Sequence, residues 1–386
     1  VNDSIALFVF IPFCKIKCTY CDFNVYAHLA RWMEPYAEAV VHEIARLDRS
    51  LKSIKSARTI YFGGGTPSLM PIASLEKILR GLYDSFSFIP QPEITLEANP
   101  GSVDAEKLRA LKSLGINRLS LGVQAFDDAA LRRLNRGHTV ADALETFQSA
   151  RQAGFDNINL DFIYGLPLQT LDAWRTTLHR AVDLQPEHLS LYALKVEQDT
   201  GLEHQIKRGV YPKPDDDLAA EMYELAEETL DTAGYAQYEI SNWAKRQRHD
   251  DNAPISTHNL TYWQNEPYLG FGAGAHSCFG GARFWNVLSP IEYIERTARG
   301  ESVVDGREEI NRELEMAETM ILGLRLNEGI EFERFVKRYG EDARKKYSKE
   351  LRELTDLGLL QMDDGHVWLT PRGRLLSNEV FWRFLP

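Results

Sequence analysis

Three of the chain's four cysteines stand within eight residues, as Cys14-x3-Cys18-x2-Cys21. They follow a strand-like run, Ala6–Ile11, and so share one short loop at the end of a strand. Three thiolates on such a loop can hold three irons of a 4Fe-4S cubane and leave the fourth iron open to a small molecule. Hydrogen bonding and solvent exposure at the sulfurs tune a cluster of this kind, and Tyr20 and Phe23 offer apolar cover. The alternative is a zinc knot completed by His28, whose ligand spacing is unusual. Cys278 is distant in sequence and reads as an ordinary buried thiol.

A second unusual stretch, Gly63-Gly64-Gly65-Thr66-Pro67, follows the next strand-like run. It carries no lysine, so it is not a phosphate loop. Its glycines let the backbone approach a ligand closely and leave carbonyls free to accept from an ammonium group, although a plain tight turn has the same composition. Further polar residues recur at the same kind of position: Glu97 ends the third run, Gln124 follows the fourth, and Asp161 lies near the end of the fifth. Singly, each is an ordinary strand-end side chain, and Arg136 an ordinary cation at a helix end. Repetition at successive strand ends is what marks a site.

The elements that must bring these residues together alternate along the chain. Short β-branched or apolar runs at Thr59–Phe62, Ile94–Leu96, Arg118–Gly122, Asn157–Ile163 and Leu189–Ala193 follow the first strand, with helical patterns between them. The first helical stretch covers Trp32–Leu51. Leu108, Leu111 and Leu114 precede a stop at Gly115, and Thr139 with Asp142 forms a capping box before Leu144, Phe147 and Ala150. Thr170 caps a helix striped by Trp174, Leu178, Ala181 and Val182. Strand and helix repeated six times predict an α/β fold with a parallel sheet whose function gathers at the carboxyl ends of the strands. Convergence of five strand ends on one point favours a six-unit partial (β/α) barrel.

The pattern changes near Gly201. Pro212, Pro214 and Asp215–Asp217 mark a surface connection, Leu218–Leu230 reads as a helix, and Tyr238–Gly281 is rich in aromatics and glycine. From Glu308 come three helical segments, the run Leu359–Thr370 with a hairpin turn at Asp364–Gly365, and a closing helix. The expected division is a barrel over 1–200, an α+β extension over 201–300 and a winged-helix-like domain over 301–386. The segment from Asp305 to Pro386 has 17 acidic and 14 basic residues, which argues for packing or partner docking over a DNA-reading wing.

The cysteine spacing, with an aromatic before the third cysteine, is the signature of the radical-SAM superfamily. Phe10–Phe23, Tyr61–Met70, Thr95–Pro100, Ser120–Phe126 and Asn157–Pro167 make the first two-thirds of the chain resemble the oxygen-independent coproporphyrinogen III oxidase family and its heme-chaperone relatives of the HemW type. The resemblance implies a 4Fe-4S cluster on Cys14, Cys18 and Cys21. It implies S-adenosylmethionine held by Gly64, Gly65 and Thr66 at its methionine part, with Phe8, Glu97, Gln124, Arg136 and Asp161 on further cofactor positions. Phe8 stands where relatives usually have tyrosine, and Phe10 replaces a common histidine. Decarboxylases of the family carry a fourth cysteine where this chain has Phe23, and a long arm before the cluster, whereas here the first ligand is Cys14. His258-Asn259-Leu260-Thr261-Tyr262-Trp263 matches the HNxxYW motif of the chaperones. A neutral imidazole can ligate heme iron and flanking aromatics can cover a porphyrin, although the same residues also make an ordinary core. Gly270-x-Gly272-x-Gly274 has no βαβ unit around it and reads as close backbone packing behind the heme or cofactor pocket.

The net charge of −12 opposes a nucleic-acid partner, and no apolar run approaches a membrane span. Ile5–Phe13 lacks a basic region before it and a cleavage site after it, so a cytoplasmic address is expected. The reading is a radical-SAM heme chaperone whose partners are heme, heme-acceptor proteins and, if the cofactor is cleaved, an electron donor; decarboxylation of coproporphyrinogen III is expected to be absent. Its rivals are that decarboxylase and a zinc-stabilised adaptor.

Overall fold

The computed structural model describes residues 4–46, 56–246 and 253–386. Six strands, β1 (Ser4–Ile11), β2 (Ser56–Gly64), β3 (Phe88–Ala98), β4 (Arg118–Gln124), β5 (Ile158–Tyr164) and β6 (His188–Ala193), lie side by side in chain order, every pair parallel. Helices Met33–Arg46, Ile72–Ser85, Ala105–Ser113, Val140–Gln152 and Leu171–Asp183 return the chain between them. Each expected strand is present, and most are a few residues longer than their apolar runs. The helix expected over Trp32–Leu51 starts at Met33, and its positions 47–51 lie outside the described residues.

Local chemistry accounts for the helix starts. Asp104 accepts from the Lys107 N–H and Thr170 from that of Ala173, while Thr139 and Asp142 close the expected capping box. Inward faces do the rest. Leu108 and Leu111, Phe147 and Ala150, and Trp174, Leu178 and Ala181 are buried against β-strand residues such as Leu119, Leu121 and Leu160. At about 25 cal/mol per Å² of apolar area removed from water, this burial is the main force that holds the helices on the sheet.

Among the described residues the sheet has twelve strands and stays open. On the far side of β6 comes a hairpin, Tyr235–Glu239 with Asn242–Lys245, antiparallel to it. Outside β1 lies Tyr268–Phe271, which pairs with β1 in parallel and is a seventh parallel strand that the sequence reading did not contain. Three antiparallel strands, His276–Phe279, Ala282–Asn286 and Val304–Glu309, complete that edge. Residues 201–300 thus extend the same sheet at both edges. The acidic run at Asp215–Asp217, expected as a connection, starts the helix Asp216–Thr232: Asp215 caps it, and the next two carboxylates sit on its positive end.

The C-terminal part has a core of its own, with Met320, Phe335, Leu351 and Val367 among its buried residues. Helices Arg312–Gly323, Phe332–Tyr339 and Ser348–Asp356 pack on a three-stranded sheet of Ile330–Glu331, His366–Leu369 and Leu360–Met362. This is the winged-helix arrangement, with Asp363 accepting from the N–H groups of Gly365 and His366 at the wing's turn. The closing helix is two short ones, Pro371–Leu375 and Ser377–Phe381.

Candidate cofactor site

At the carboxyl ends of β1 to β6 lies a cavity of 430 Å³. Cys14, Cys18, Cys21, Gly64, Gly65, Thr66, Glu97, Gln124, Arg136 and Asp161 all border it. Phe8 does not. Its ring points deeper into the barrel and stacks on Tyr61, with centroids 5.9 Å apart, so it touches the cavity wall only from behind.

The cysteine loop is pinned by main-chain bonds to three neighbours. The N–H groups of Gly65 and Thr66 donate to the carbonyls of Ile11 and Phe13, both at 2.8 Å. Thr19 N–H donates to Leu134 O at 3.0 Å, and Leu202 N–H to Thr19 O at 2.7 Å. Tyr20 packs on the small apolar cluster of Ala125, Leu131 and Ile163, giving the expected cover. Phe23 also borders the cavity but is 60% exposed, so its ring packs on the protein less than that of Tyr20. Gly65 shows how tightly the glycine turn approaches the loop. A Cβ there would lie 2.7 Å from Phe13 O and 3.1 Å from Cys14 Sγ, so only glycine leaves room.

Around the sulfurs the donors are few and aimed. Thr66 Oγ1 lies 3.6 Å from Cys14 Sγ, and Arg136 Nη1 lies 3.4 Å from Cys18 Sγ. Burial pushes the Cys14 thiol up and that of Cys21 to about 11, so iron must displace protons to bind. The thiols border the cavity without converging on one point: among the described residues no three His, Cys, Asp or Glu side chains do. Three sulfurs spaced round one end of a cavity, beside a cradle closed by Gly65, match the donor set of a cubane with an open iron.

The other end is acidic. Glu97 accepts from the Tyr61 hydroxyl at 2.9 Å and the Gly64 N–H at 3.0 Å. Burial first, and then the charge of Asp161, push its carboxyl up to about 7. Asp161 is also raised by burial, against hydrogen bonds from Ser120 and Asn159, both at 2.8 Å. Such carboxylates stay charged most easily with a cation between them. Gln124 is held at φ +68, beside a register shift between β4 and β5, which turns its side chain to the cavity.

Asn99 was missed in the sequence reading. It donates to Thr66 Oγ1 at 2.9 Å and accepts from Arg136 at 2.6 Å, tying the glycine turn to the arginine beside Cys18. Its signal was its place two residues beyond Glu97, just past the end of β3. Tyr61 was missed too, since a tyrosine in a strand looks like core.

The structure does not bring His258, Tyr262 and Trp263 to this cavity. They lie on the helix Thr257–Trp263, whose first N–H groups donate to Glu93. His258 is 1% exposed, with Nδ1 2.7 Å from Thr59 Oγ1 and Nε2 2.9 Å from the Tyr262 hydroxyl. Its ring stacks on Tyr61 at 4.9 Å, and burial lowers the imidazole to about 3, so it is neutral. Trp263 lies under the Arg325 guanidinium, 4.2 Å from the ring centre. Tyr61 therefore stands between the motif and the cavity.

Comparison with known proteins joins these observations. Residues 8–181 match the model of the Radical SAM superfamily, and residues 310–376 that of the HemN C-terminal domain. The heme chaperone HemW of Bacillus subtilis is 38% identical, the match covering 98% of this chain and 99% of that one. The chain belongs to the HemW branch of the coproporphyrinogen III oxidase-like radical-SAM family. The HemW protein of Lactococcus lactis is 34% identical over 97% of this chain and 96% of its own. In structure the chain is similar to the coproporphyrinogen III oxidase HemN of Escherichia coli, with a TM-score of 0.85 at 23% identity, covering 98% of this chain and 89% of that one, which shows a shared fold. The superfamily match spans the cysteine loop and the first five strands of this branch's barrel. Among the described residues no helix is long and apolar enough to cross a membrane.

Proposed function

We propose that this chain is a radical-SAM heme chaperone: it holds a 4Fe-4S cluster on Cys14, Cys18 and Cys21, binds S-adenosylmethionine beside it, and passes heme to acceptor proteins. The observation that carries the cluster and cofactor part is the single cavity bordered by three thiols, the glycine turn and two carboxylates. The cargo is inferred from the HemW relatives. When bound, the cluster supplies one-electron chemistry to its open-iron ligand.

The chain's own residues bind and orient. Glu97, fixed by Tyr61 and Gly64, offers a carboxylate to the cofactor's ammonium, and the cation in turn keeps that carboxylate ionised. Gly64, Gly65 and Thr66 shape the backbone around the methionine part. Asp161, fixed by Ser120 and Asn159, and Gln124 complete the far side, while Arg136 sets the charge beside Cys18. Phe8 acts through Tyr61. His258, Tyr262 and Trp263 form the proposed heme element, and ligation by His258 requires one of its two hydrogen bonds to open. A cytoplasmic address belongs to the same proposal, as does a division near 200, with the last boundary past Val304–Glu309, which still pairs within the main sheet, and not at 300.

The test is anaerobic reconstitution followed by titration with hemin. About four irons and four sulfides per chain are expected, lost on replacing any of the three cysteines by alanine and kept in Cys278→Ala. Zinc without sulfide would refute the cluster. Sustained turnover of coproporphyrinogen III would move the chain to the decarboxylases.

A further inference from the structure

The Gly270–Gly274 segment remained without a role. We propose that this segment, anchored on Glu43, is a clamp that fixes both ends of the cysteine loop and so positions the cluster; the inference rests on the reading of those cysteines as cluster ligands. The strand Tyr268–Phe271 runs beside β1, with Phe8 opposite Gly270. Beyond it the chain passes under the point where the loop leaves β1. There the Tyr36 hydroxyl donates to Phe10 O and accepts from the Ala273 N–H, both at 2.8 Å. Gly272, at φ +103, packs so close that a Cβ would lie 2.3 Å from the Tyr36 oxygen and 2.6 Å from Phe10 O.

The segment also reaches the loop's other end. Asn24, three residues beyond Cys21, donates from Nδ2 to Leu288 O at 2.9 Å and faces Ala273 O at 3.5 Å. Tyr26 donates to the same Leu288 carbonyl at 3.3 Å. What holds the clamp is one carboxylate. Glu43 accepts from the Gly272 N–H at 2.8 Å, from Asn286 Nδ2 at 2.6 Å and from the Tyr293 hydroxyl, and Asn286 also donates to Gly272 O at 2.9 Å. A buried carboxyl group accepting three donors, from the turn itself and two elements beyond it, fixes the turn better than van der Waals contact alone. None of these bonds touches a cysteine; they land on the residues flanking the loop, where its two ends are set. Glu43, Gly272 and Asn24 are positioning residues, since small shifts of the supporting groups change a cluster's ligand geometry and solvent access.

The test uses the full chain, reconstituted anaerobically. Asn24→Ala removes two polar contacts from a partly exposed side chain, and Asn24→Asp keeps its size while removing the donor. Both should load cluster and show parent-like circular dichroism, yet release iron to a chelator about fivefold faster, the factor set by one net hydrogen bond. The paramagnetic resonance line shape of the reduced cluster should change with them. Glu43→Gln, which places an amide donor against Asn286 or Tyr293, should do more. Parent-like release and spectra in all three variants would overturn the clamp. Parent protein that takes up no iron and sulfide would overturn the cluster reading and the clamp with it.

Discussion

Glu97 and Asp161 share one cavity, and each raises the cost of charging the other. A cofactor cation relieves that cost, which gives a prediction with a sign. Burial and Asp161 push the free Glu97 carboxyl up to about 7, and a bound ammonium must lower it, so binding expels a proton wherever the free protein carries one there. Affinity for S-adenosylmethionine should therefore fall as pH drops through that value, by up to about tenfold per unit. Calorimetry across that range checks it, and Glu97→Gln should flatten the profile. Glu97→Ala and Asp161→Ala should each weaken binding by about 1.5–3 kcal/mol, the worth of a hydrogen bond to a charged group. If both variants bind the cofactor as the parent does, the two carboxylates hold something else.

The helix Thr257–Trp263 is the element on which the proposed heme binding turns. Both nitrogens of His258 are already bonded, so a hemin ligand there competes with Thr59 or Tyr262. Tyr262→Phe keeps the ring and frees Nε2; it should tighten hemin binding by about fivefold, the net worth of one hydrogen bond. His258→Ala should abolish the Soret shift. An unchanged shift would place the iron ligand elsewhere, with the motif left as packing. The same element shows where sequence reading stops. The six barrel strands were legible because each is a local apolar run followed by a helix pattern. Tyr268–Phe271 was not, since it is four residues long, carries Gly270 in its middle, and pairs with a strand near the other end of the chain. The ten cavity residues followed from cysteine spacing, strand ends and family likeness. Asn99 and Tyr61 escaped because their part is to hold other side chains, which no spacing records. Phe23 was read as cover from its type alone, and only the folded loop shows that it borders the cavity while staying 60% exposed.

Across the whole molecule, Glu266 joins three parts of the chain. Its carboxylate pairs with Arg58 of β2 and, at 2.9 Å, with Arg334 of the C-terminal part, while Arg58 also donates to Thr261 of the helix before it. Arg58 and Glu266 are nearly enclosed, so removing the anion leaves a cation without its partner. Glu266→Ala should cost about 3–5 kcal/mol in urea unfolding, with the C-terminal part the first to loosen in hydrogen exchange. A loss below about 1 kcal/mol, typical of an exposed pair, would show that this junction carries little. The position of Tyr268–Phe271 outside β1 has a consequence in time as well as in space. On the ribosome, β1 and the cysteines emerge well before Tyr268–Phe271, and one flank of β1 stays bare until that strand follows. A nascent chain cut before Tyr268 contains all three proposed cluster ligands and lacks the strand that flanks β1. It should retain little iron and sulfide and should aggregate through its open edge, and a truncated chain that kept a full cluster would disprove this order. On this reading the cysteines wait for Tyr268–Phe271, made far later in the chain, before the proposed cluster can settle between them.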